Sequence, residues 1–326
     1  MKAIVYDRYG PPDVLELKEI ETPEPRDDEV LIRIRAAAAN QADRRLMRGD
    51  PFLVRIGKGL RRPRRAAILG SDMAGEVESV GRGVTRFRPG DEVFAEVDDG
   101  GFAEYISFPE RMLAHKPGNL TFEQAAAVPM TGLTALQALR DRGRIVAGQR
   151  VLINGASGGV GTMAVQIAKS FGAEVTGVSS TRNLDLVRSI GADHVVDYTT
   201  DDFTAGPARF DLILDMVGNH SLAALRRALV PTGTLVVVGG DGGRWLGPAA
   251  QVIRATALSP FVRQRLVAVI GVRRSADLEV LTGLIEDGRV RPVIDGIYPL
   301  CEAPAAMRHL ETGHARGKLA ITVAPA

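Results

Sequence analysis

Apolar positions along the chain fall into two textures. Up to about residue 120 they form short runs bounded by glycine and proline. Met1–Tyr6 and Val30–Ala36 are apolar and β-compatible, and Gly10–Asp13 (GPPD) and the proline-containing stretch Thr22–Asp28 punctuate them. Ala74–Val80 and Glu92–Val97 read alike, separated by Gly81, Gly83 and Pro89-Gly90-Asp91. Many short strands with Gly/Pro turns predict a compact β-rich domain.

The pattern changes near Leu120. Thr121 is placed to cap an alanine-rich helical run, Glu123–Val128. Pro129 and Gly132 are expected to interrupt it, with a helix resuming over Thr134–Arg142. From Val151 short apolar runs alternate with helical spacing. Val151–Asn154, Val175–Val178, His194–Val196, Phe210–Leu214 and Thr234–Val238 suit strands buried on both faces. Gly161–Phe171, Leu184–Ile190 and Ser221–Leu229 are the intervening helices. Such alternation predicts an α/β fold with a doubly wound parallel sheet. The final residues return to strand and turn: Val293–Leu300, a short helix Ala303–Leu310, then Leu319–Val323. They are either one more piece of the α/β domain or a return to the first.

Composition narrows the class. Of 326 residues, 45% are hydrophobic and 25% charged, ordinary soluble-globular usage. A net charge of +2 gives no global case for nucleic-acid binding. The single cysteine, Cys301, excludes an intrachain disulfide and a cysteine-rich zinc lobe. No long apolar run follows the basic residue in Met1–Gly10, and the uncharged stretch Val151–Ala168 is too glycine-rich for a membrane span. A cytoplasmic protein with no membrane partner is the expectation.

The sharpest motif is Val151-Leu152-Ile153-Asn154-Gly155-Ala156-Ser157-Gly158-Gly159-Val160-Gly161. Gly155, Gly158 and Gly161 stand three apart, between a strand and a helix. Glycines let backbone approach a pyrophosphate, and the helix start offers N–H groups and a positive dipole end. Glycines also simply end strands, but strand, turn, helix and second strand all fit dinucleotide binding here. Ser157, Gly159 and Val160 belong to the same expected cradle. An NAD site usually carries Asp or Glu at the end of the second strand. Here Val175–Val178 runs into Ser179-Ser180-Thr181-Arg182-Asn183, with no carboxylate until Asp185. Hydroxyls and a guanidinium, Ser180 and Arg182, suit a 2′-phosphate and so NADPH; the same hydroxyls also suit a helix cap. Val217-Gly218 and Gly239-Gly240 follow strand ends, where ligands of parallel sheets bind.

With these motifs the chain resembles the medium-chain dehydrogenase/reductase superfamily, in its zinc-independent quinone oxidoreductase-like branch. The resemblance spans the chain: MKAIVYDRYGPPDVLEL, AAAANQADRRLMRG, LGSDMAGEVESVGRGVTRFRPGDEVFA, AAAVPMTGLTALQAL, GASGGVG, GADHVVDY and RGKLAITV. It implies a GroES-like β-rich catalytic domain at residues 1–121, with 292–326 returning to it. It also implies a Rossmann NADP-binding domain at 122–291, with the active site in the cleft. Zinc-containing alcohol dehydrogenases of the superfamily take catalytic ligands from three motif positions, which fall here on Asn40, Ser71 and Met130. None is a thiolate, imidazole or carboxylate, so no metal is expected.

Without a Lewis acid, hydride transfer suits an electron-poor small molecule: a quinone or an α,β-unsaturated carbonyl. An enoyl reductase for a larger acyl substrate, or a non-catalytic NADPH-binding redox sensor, are the alternatives. Asn40 is the candidate catalytic residue, as donor to a substrate carbonyl or holder of the nicotinamide ribose; otherwise it is a turn residue. By family position Thr134 lies near the nicotinamide and Tyr198 near the adenosine phosphate. Lys318 either reaches a cofactor phosphate or is a surface lysine. Several relatives carry a tyrosine where Arg45 stands, so no proton donor is carried over. Arg44–Arg65 holds nine basic residues against Asp50, a solvated loop or a basic lip that steers an anion. Leu266–Val272 is placed as the final strand of the sheet, and edge pairing there would give a homodimer.

Overall fold

The computed structural model describes residues 1–63, 67–207, 209–240, 249–269 and 271–323. In chain order come β1 (Lys2–Tyr6), β2 (Glu16–Glu19), β3 (Glu29–Ala39), α1 (Gln41–Arg48), α2 (Leu53–Lys58), β4 (Ala67–Ile68), β5 (Asp72–Val80), β6 (Glu92–Glu96), β7 (Tyr105–Pro109) and β8 (Ala114–His115). Next are α3 (Phe122–Ala126), α4 (Pro129–Gln137), β9 (Arg150–Asn154), α5 (Gly159–Ser170), β10 (Glu174–Ser179), α6 (Leu184–Ser189), β11 (His194–Asp197), β12 (Phe210–Asp215), α7 (Leu222–Ala228) and β13 (Leu229–Val237). The last are α8 (Ala249–Leu258), β14 (Arg265–Ala268), α9 (Ser275–Glu286), β15 (Ile294–Pro299), α10 (Ala303–Glu311) and β16 (Lys318–Thr322).

Two compact units result: Met1–Met130, Arg273–Glu286 and Pro292–Ala326 form one; Thr131–Val272 and Asp287–Arg291 the other. The first is β-rich. Its large sheet runs β15-β16-β3-β5-β6-β8, with β7 also on β3, and a smaller sheet runs β2-β1-β4. β16 pairs antiparallel with β3, setting Leu319 opposite Ala39. Its core includes Ile4, Ile32, Ile34, Met73, Phe102 and Leu319, all essentially without exposed surface. Ala36–Ala39 are buried too, because α3 packs over that end of β3 and small side chains let it approach.

Residues 122–130 and 273–286 group with this unit, although the sequence placed them in the other. Hydrogen bonds account for both. Met130 N donates to Asp72 Oδ1 (2.8 Å), Asn119 Nδ2 to Ile285 O (2.9 Å), and Arg86 Nη2 to Glu279 Oε1 (3.0 Å).

The second unit is a six-stranded sheet in the order β11-β10-β9-β12-β13-β14. Every neighbouring pair is parallel. The order reverses between β9 and β12, the switch point where such sheets bind ligands. Leu152, Ile213, Leu225 and Leu235 fill its core.

Two local expectations are corrected. The alanine-rich helix does stop ahead of Pro129, at Ala126, and Pro129 then opens α4, because a first-turn residue needs no N–H partner and proline's φ is preset for it. Gly132 lies inside α4, a cost of about 1 kcal/mol that burial offsets. A π-helical turn, Ala138–Gly143, takes the place of the expected helix end. α1 was not foreseen, since only Leu46 and Met47 are strongly apolar there. It starts at Asn40, whose N–H donates to Asp43 Oδ2 (2.8 Å), and stops at Gly49 with φ +59°.

Candidate active site

In the second unit the apolar strands end in polar residues at one rim. Asn154 closes β9 and Asp215 closes β12, and the two are opposite one another. Asn154 Nδ2 donates to Asp215 Oδ1 (2.9 Å) and to Asn219 Oδ1 (2.9 Å). Asp215 Oδ1 also accepts from Val217 N (3.2 Å) and Gly218 N (3.0 Å). This buried pair locks the switch point. Sequence reasoning passed over it; the signal was a polar residue ending each of two apolar runs.

The loop between β9 and α5 is tight. Gly155 has φ +90°, and a Cβ at Gly161 would lie 2.1 Å from Gly155 O. No side chain caps α5, whose N-cap is Gly158. A loop that excludes a Cβ, followed by a twelve-residue helix with an uncapped first turn, fits a pyrophosphate. Ser180 and Arg182 follow β10. Tyr198 follows β11, its N–H donating to Ser179 O (3.1 Å), and its side chain is exposed. Asn183 Nδ2 donates to Ser157 Oγ (3.1 Å) and Ser180 Oγ (3.4 Å). Asn183 Oδ1 is buried without a partner. The residues present therefore fit a dinucleotide.

The structure gathers Gly155–Gly161, Ser180, Arg182, Tyr198, Val217, Gly218, Gly239 and Gly240 at the carboxyl ends of β9 to β13. Thr134 is half-buried on α4 in the same unit, beside Gly271. One carboxylate was missed. Asp197 lies opposite Ser179, next to the stretch that carries none in sequence. Its oxygens accept from Thr181 Oγ1 (2.5 Å), Thr199 Oγ1 (2.7 Å) and Thr199 N (3.0 Å). The Thr181 hydroxyl, then Thr199, holds its carboxyl below the usual range. Asp197 thus pins the Ser180–Arg182 turn.

Asn40 and Lys318 belong to the other unit, in a buried cluster built where β3, β5 and β16 begin or end. Asp72 has no exposed surface. Its Oδ2 accepts from Lys318 Nζ (3.1 Å) and Asn40 Nδ2 (3.0 Å), and its Oδ1 from Met130 N (2.8 Å). Lys318 Nζ donates also to Asn40 Oδ1 and to Ala39 O (3.1 Å). Its three protons are thus committed. Lys318 is neither a surface lysine nor one held for a phosphate, because β16 pairing with β3 buries it. Asn40 Nδ2 spends its second proton on Ala38 O (3.1 Å), so it has none left for a substrate carbonyl. Oδ1 is an acceptor only: it takes a proton of Lys318 Nζ and faces the Asp43 N–H in the capping box that opens α1.

The three positions that hold zinc in some relatives all feed this cluster. Ser71 Oγ donates to Asp43 Oδ1 (2.6 Å), joining Asn40 and Met130 N as hydrogen-bond donors. Among the described residues no three His, Cys, Asp or Glu side chains are placed to hold a metal ion. Burial, with Asp72 beside it, pushes the Asp43 carboxyl up to about 6. Burial also pushes Glu96 up to about 7, with Asp72 adding to it and Arg273 opposing it.

Of the basic segment, Arg48 pairs with Glu311 (2.6 Å) and Lys58 with Asp99 (3.1 Å). Arg55 lies 4.8 Å from the Tyr9 ring centroid and donates to Gly49 O. Arg64 and Arg65 lie outside the described residues.

A glycine loop at the switch point of a parallel sheet fits a dinucleotide-binding protein. The model of the alcohol dehydrogenase GroES-like domain matches residues 26–118, and that of the zinc-binding dehydrogenase matches 190–321. A chloroplast envelope quinone oxidoreductase homolog of Arabidopsis thaliana is 32% identical over 98% of both chains. An NADPH-dependent alkenal/one oxidoreductase of that plant is 34% identical, covering 100% of this chain and 80% of its own. The quinone oxidoreductase structure from Coxiella burnetii superposes with a TM-score of 0.89, at 33% identity over 99% of each chain. The chain belongs to the medium-chain dehydrogenase/reductase superfamily, in its quinone oxidoreductase-like branch. It is an enzyme that binds NAD(P)H and acts on a small molecule. No helix among the described residues is long and apolar enough to cross a membrane.

Glu96 gives a test of the cluster. Its carboxyl is raised in the folded state, so folding takes up a proton between about pH 4.5 and 7. Stability conferred by the protonated form is lost as pH rises through that window. Glu96→Gln should flatten the slope of unfolding free energy against pH there, by up to about 1.4 kcal/mol per pH unit. Denaturant titrations at several pH values read this; an unchanged slope assigns the proton elsewhere.

Proposed function

We propose that this chain is an NADPH-dependent, zinc-independent reductase that delivers hydride to a quinone or to the β-carbon of an α,β-unsaturated carbonyl. The observation that carries the cofactor reading is the turn after β10, which holds Ser180 and Arg182 and no carboxylate before Asp185, while Asp197 on the neighbouring strand has its oxygens taken by Thr181 and Thr199. Arg182 pairs with a 2′-phosphate, Ser180 donates to it, and Tyr198 covers the adenosine end. Gly155–Gly161 receive the pyrophosphate, and Val217, Gly218, Gly239 and Gly240 border the rest of the cofactor, with Thr134 near the nicotinamide.

The bound nicotinamide supplies the hydride. Asn40 is the candidate catalytic residue, available only as an acceptor through Oδ1, with Lys318 and Asp72 fixing its orientation. Asn40, Ser71 and Met130 are poor ligands for zinc, which favours an electron-poor acceptor whose developing oxyanion is met by a proton from water. Relatives matched over 98–100% of this chain bear quinone and alkenal/one oxidoreductase names, which supports this substrate class over an enoyl reductase or a silent binding protein. NADPH oxidation over a panel of quinones and enones tests turnover directly; binding without oxidation of any would refute it.

NADPH should bind tighter than NADH, and Arg182→Ala should erode that preference roughly ten- to hundredfold, as for loss of a charge-assisted contact. Fluorescence titration of both cofactors measures it, and equal wild-type affinities would end the 2′-phosphate reading. Elemental analysis should find no stoichiometric zinc, and chelators should leave turnover intact; one zinc per chain is the contrary result.

The enzyme is further proposed to be a homodimer. β14 is the last strand of its sheet, and Leu266, Val267, Ala268 and Val269 give an apolar edge; Ile270 of the same run lies outside the described residues. Pairing with a two-fold copy would continue the ladder. Val269→Lys should shift the dimer towards monomer in light scattering, and a monomeric wild type at micromolar concentration would refute edge pairing.

A further inference from the structure

We propose that Asn183 is the positioning residue that gives the cofactor site its selectivity for phosphate. The inference rests on the NADPH reading and deepens it. Asn183 is 5% exposed and caps nothing with its side chain, although it precedes α6. Its amide instead bridges two loops. Nδ2 donates to Ser157 Oγ in the glycine loop (3.1 Å) and to Ser180 Oγ after β10 (3.4 Å). Its own N–H donates to Ser180 O (2.9 Å), which holds the turn in register.

The direction of these bonds matters. A serine hydroxyl has one proton and two lone pairs. Where an amide N–H occupies a lone pair, the hydroxyl turns its own proton away from that donor. Asn183 therefore makes donors of both Ser157 and Ser180. Donors suit phosphate oxygens, which accept only, better than a ribose hydroxyl that must also donate. The reversed amide would leave two buried N–H donors without acceptors, whereas the observed one leaves a single oxygen, Oδ1. One side chain thus sets hydroxyls on two loops of the candidate cofactor site.

The test compares Asn183→Asp and Asn183→Ala with wild type. A carboxylate at 183 accepts where the amide donated, so it turns both hydroxyl protons inward at nearly constant volume. Dissociation constants for NADPH, NADH and adenosine 2′,5′-bisphosphate are measured by titration, with the melting temperature of the cofactor-free protein as control. In Asn183→Asp, NADPH and the bisphosphate should weaken about tenfold more than NADH does, with Asn183→Ala intermediate. In a Ser180→Ala background, Asn183→Ala should change the NADPH/NADH ratio no further. Equal weakening of NADPH and NADH in both variants, or an unchanged ratio, would overturn the inference while leaving the cofactor reading intact. A wild type without NADPH preference would overturn both.

Discussion

A carboxylate without exposed surface, Asp72, governs the β-rich unit. An uncompensated buried charge costs several kcal/mol, so its partners are obligatory. They come from three distant parts of the chain: Lys318, Asn40 and the Met130 backbone. β16 must therefore return to β3 before the cluster closes, and α4 must begin where it does. The same demand fixes Asn40, whose amide has opposite poles against a cation and an anion. A reversed amide would place like against like at both ends.

Where zinc relatives hold a metal, this chain has built a hydrogen-bonded network from a lysine, two aspartates, a serine and an asparagine. A dication is a concentrated charge that can polarise an oxygen; this network sets one lysine against two carboxylates, and its donors are spent. It positions instead of polarising. Within it Asn40 has no proton left to donate, although it stays at the centre.

Much of the second unit was legible because a strand buried on both faces must be continuously apolar. β9, β10, β11, β12 and β13 stand within a few residues of their expected places, and the glycine loop follows from sterics alone. α1 was not legible, since its apolar face is two residues and its start depends on the Asp43 carboxylate. Lys318 was misjudged because a lysine's burial depends on which strand lies beside it, and β3 is nearly 280 residues away in sequence. The basic segment was legible as charge but not as structure: Glu311 and Asp99, which take up Arg48 and Lys58, are remote from it. Asp197 escaped for the same reason, being adjacent to Ser179 only across the ladder.

Around the turn after β10 hydroxyl protons point in two directions. Asp197 takes the protons of Thr181 and Thr199, so these hydroxyls face inward. Asn183 gives protons to Ser157 and Ser180, so those face outward. Four hydroxyls on three neighbouring loops are thus sorted into two sets by one carboxylate and one amide. A carboxylate in such a place would ordinarily repel a 2′-phosphate. Here hydroxyl donors occupy its oxygens and its charge is held back in the turn, while the outward donors are left for the ligand. The same residues in another order along the strands would present an acceptor where this chain presents donors.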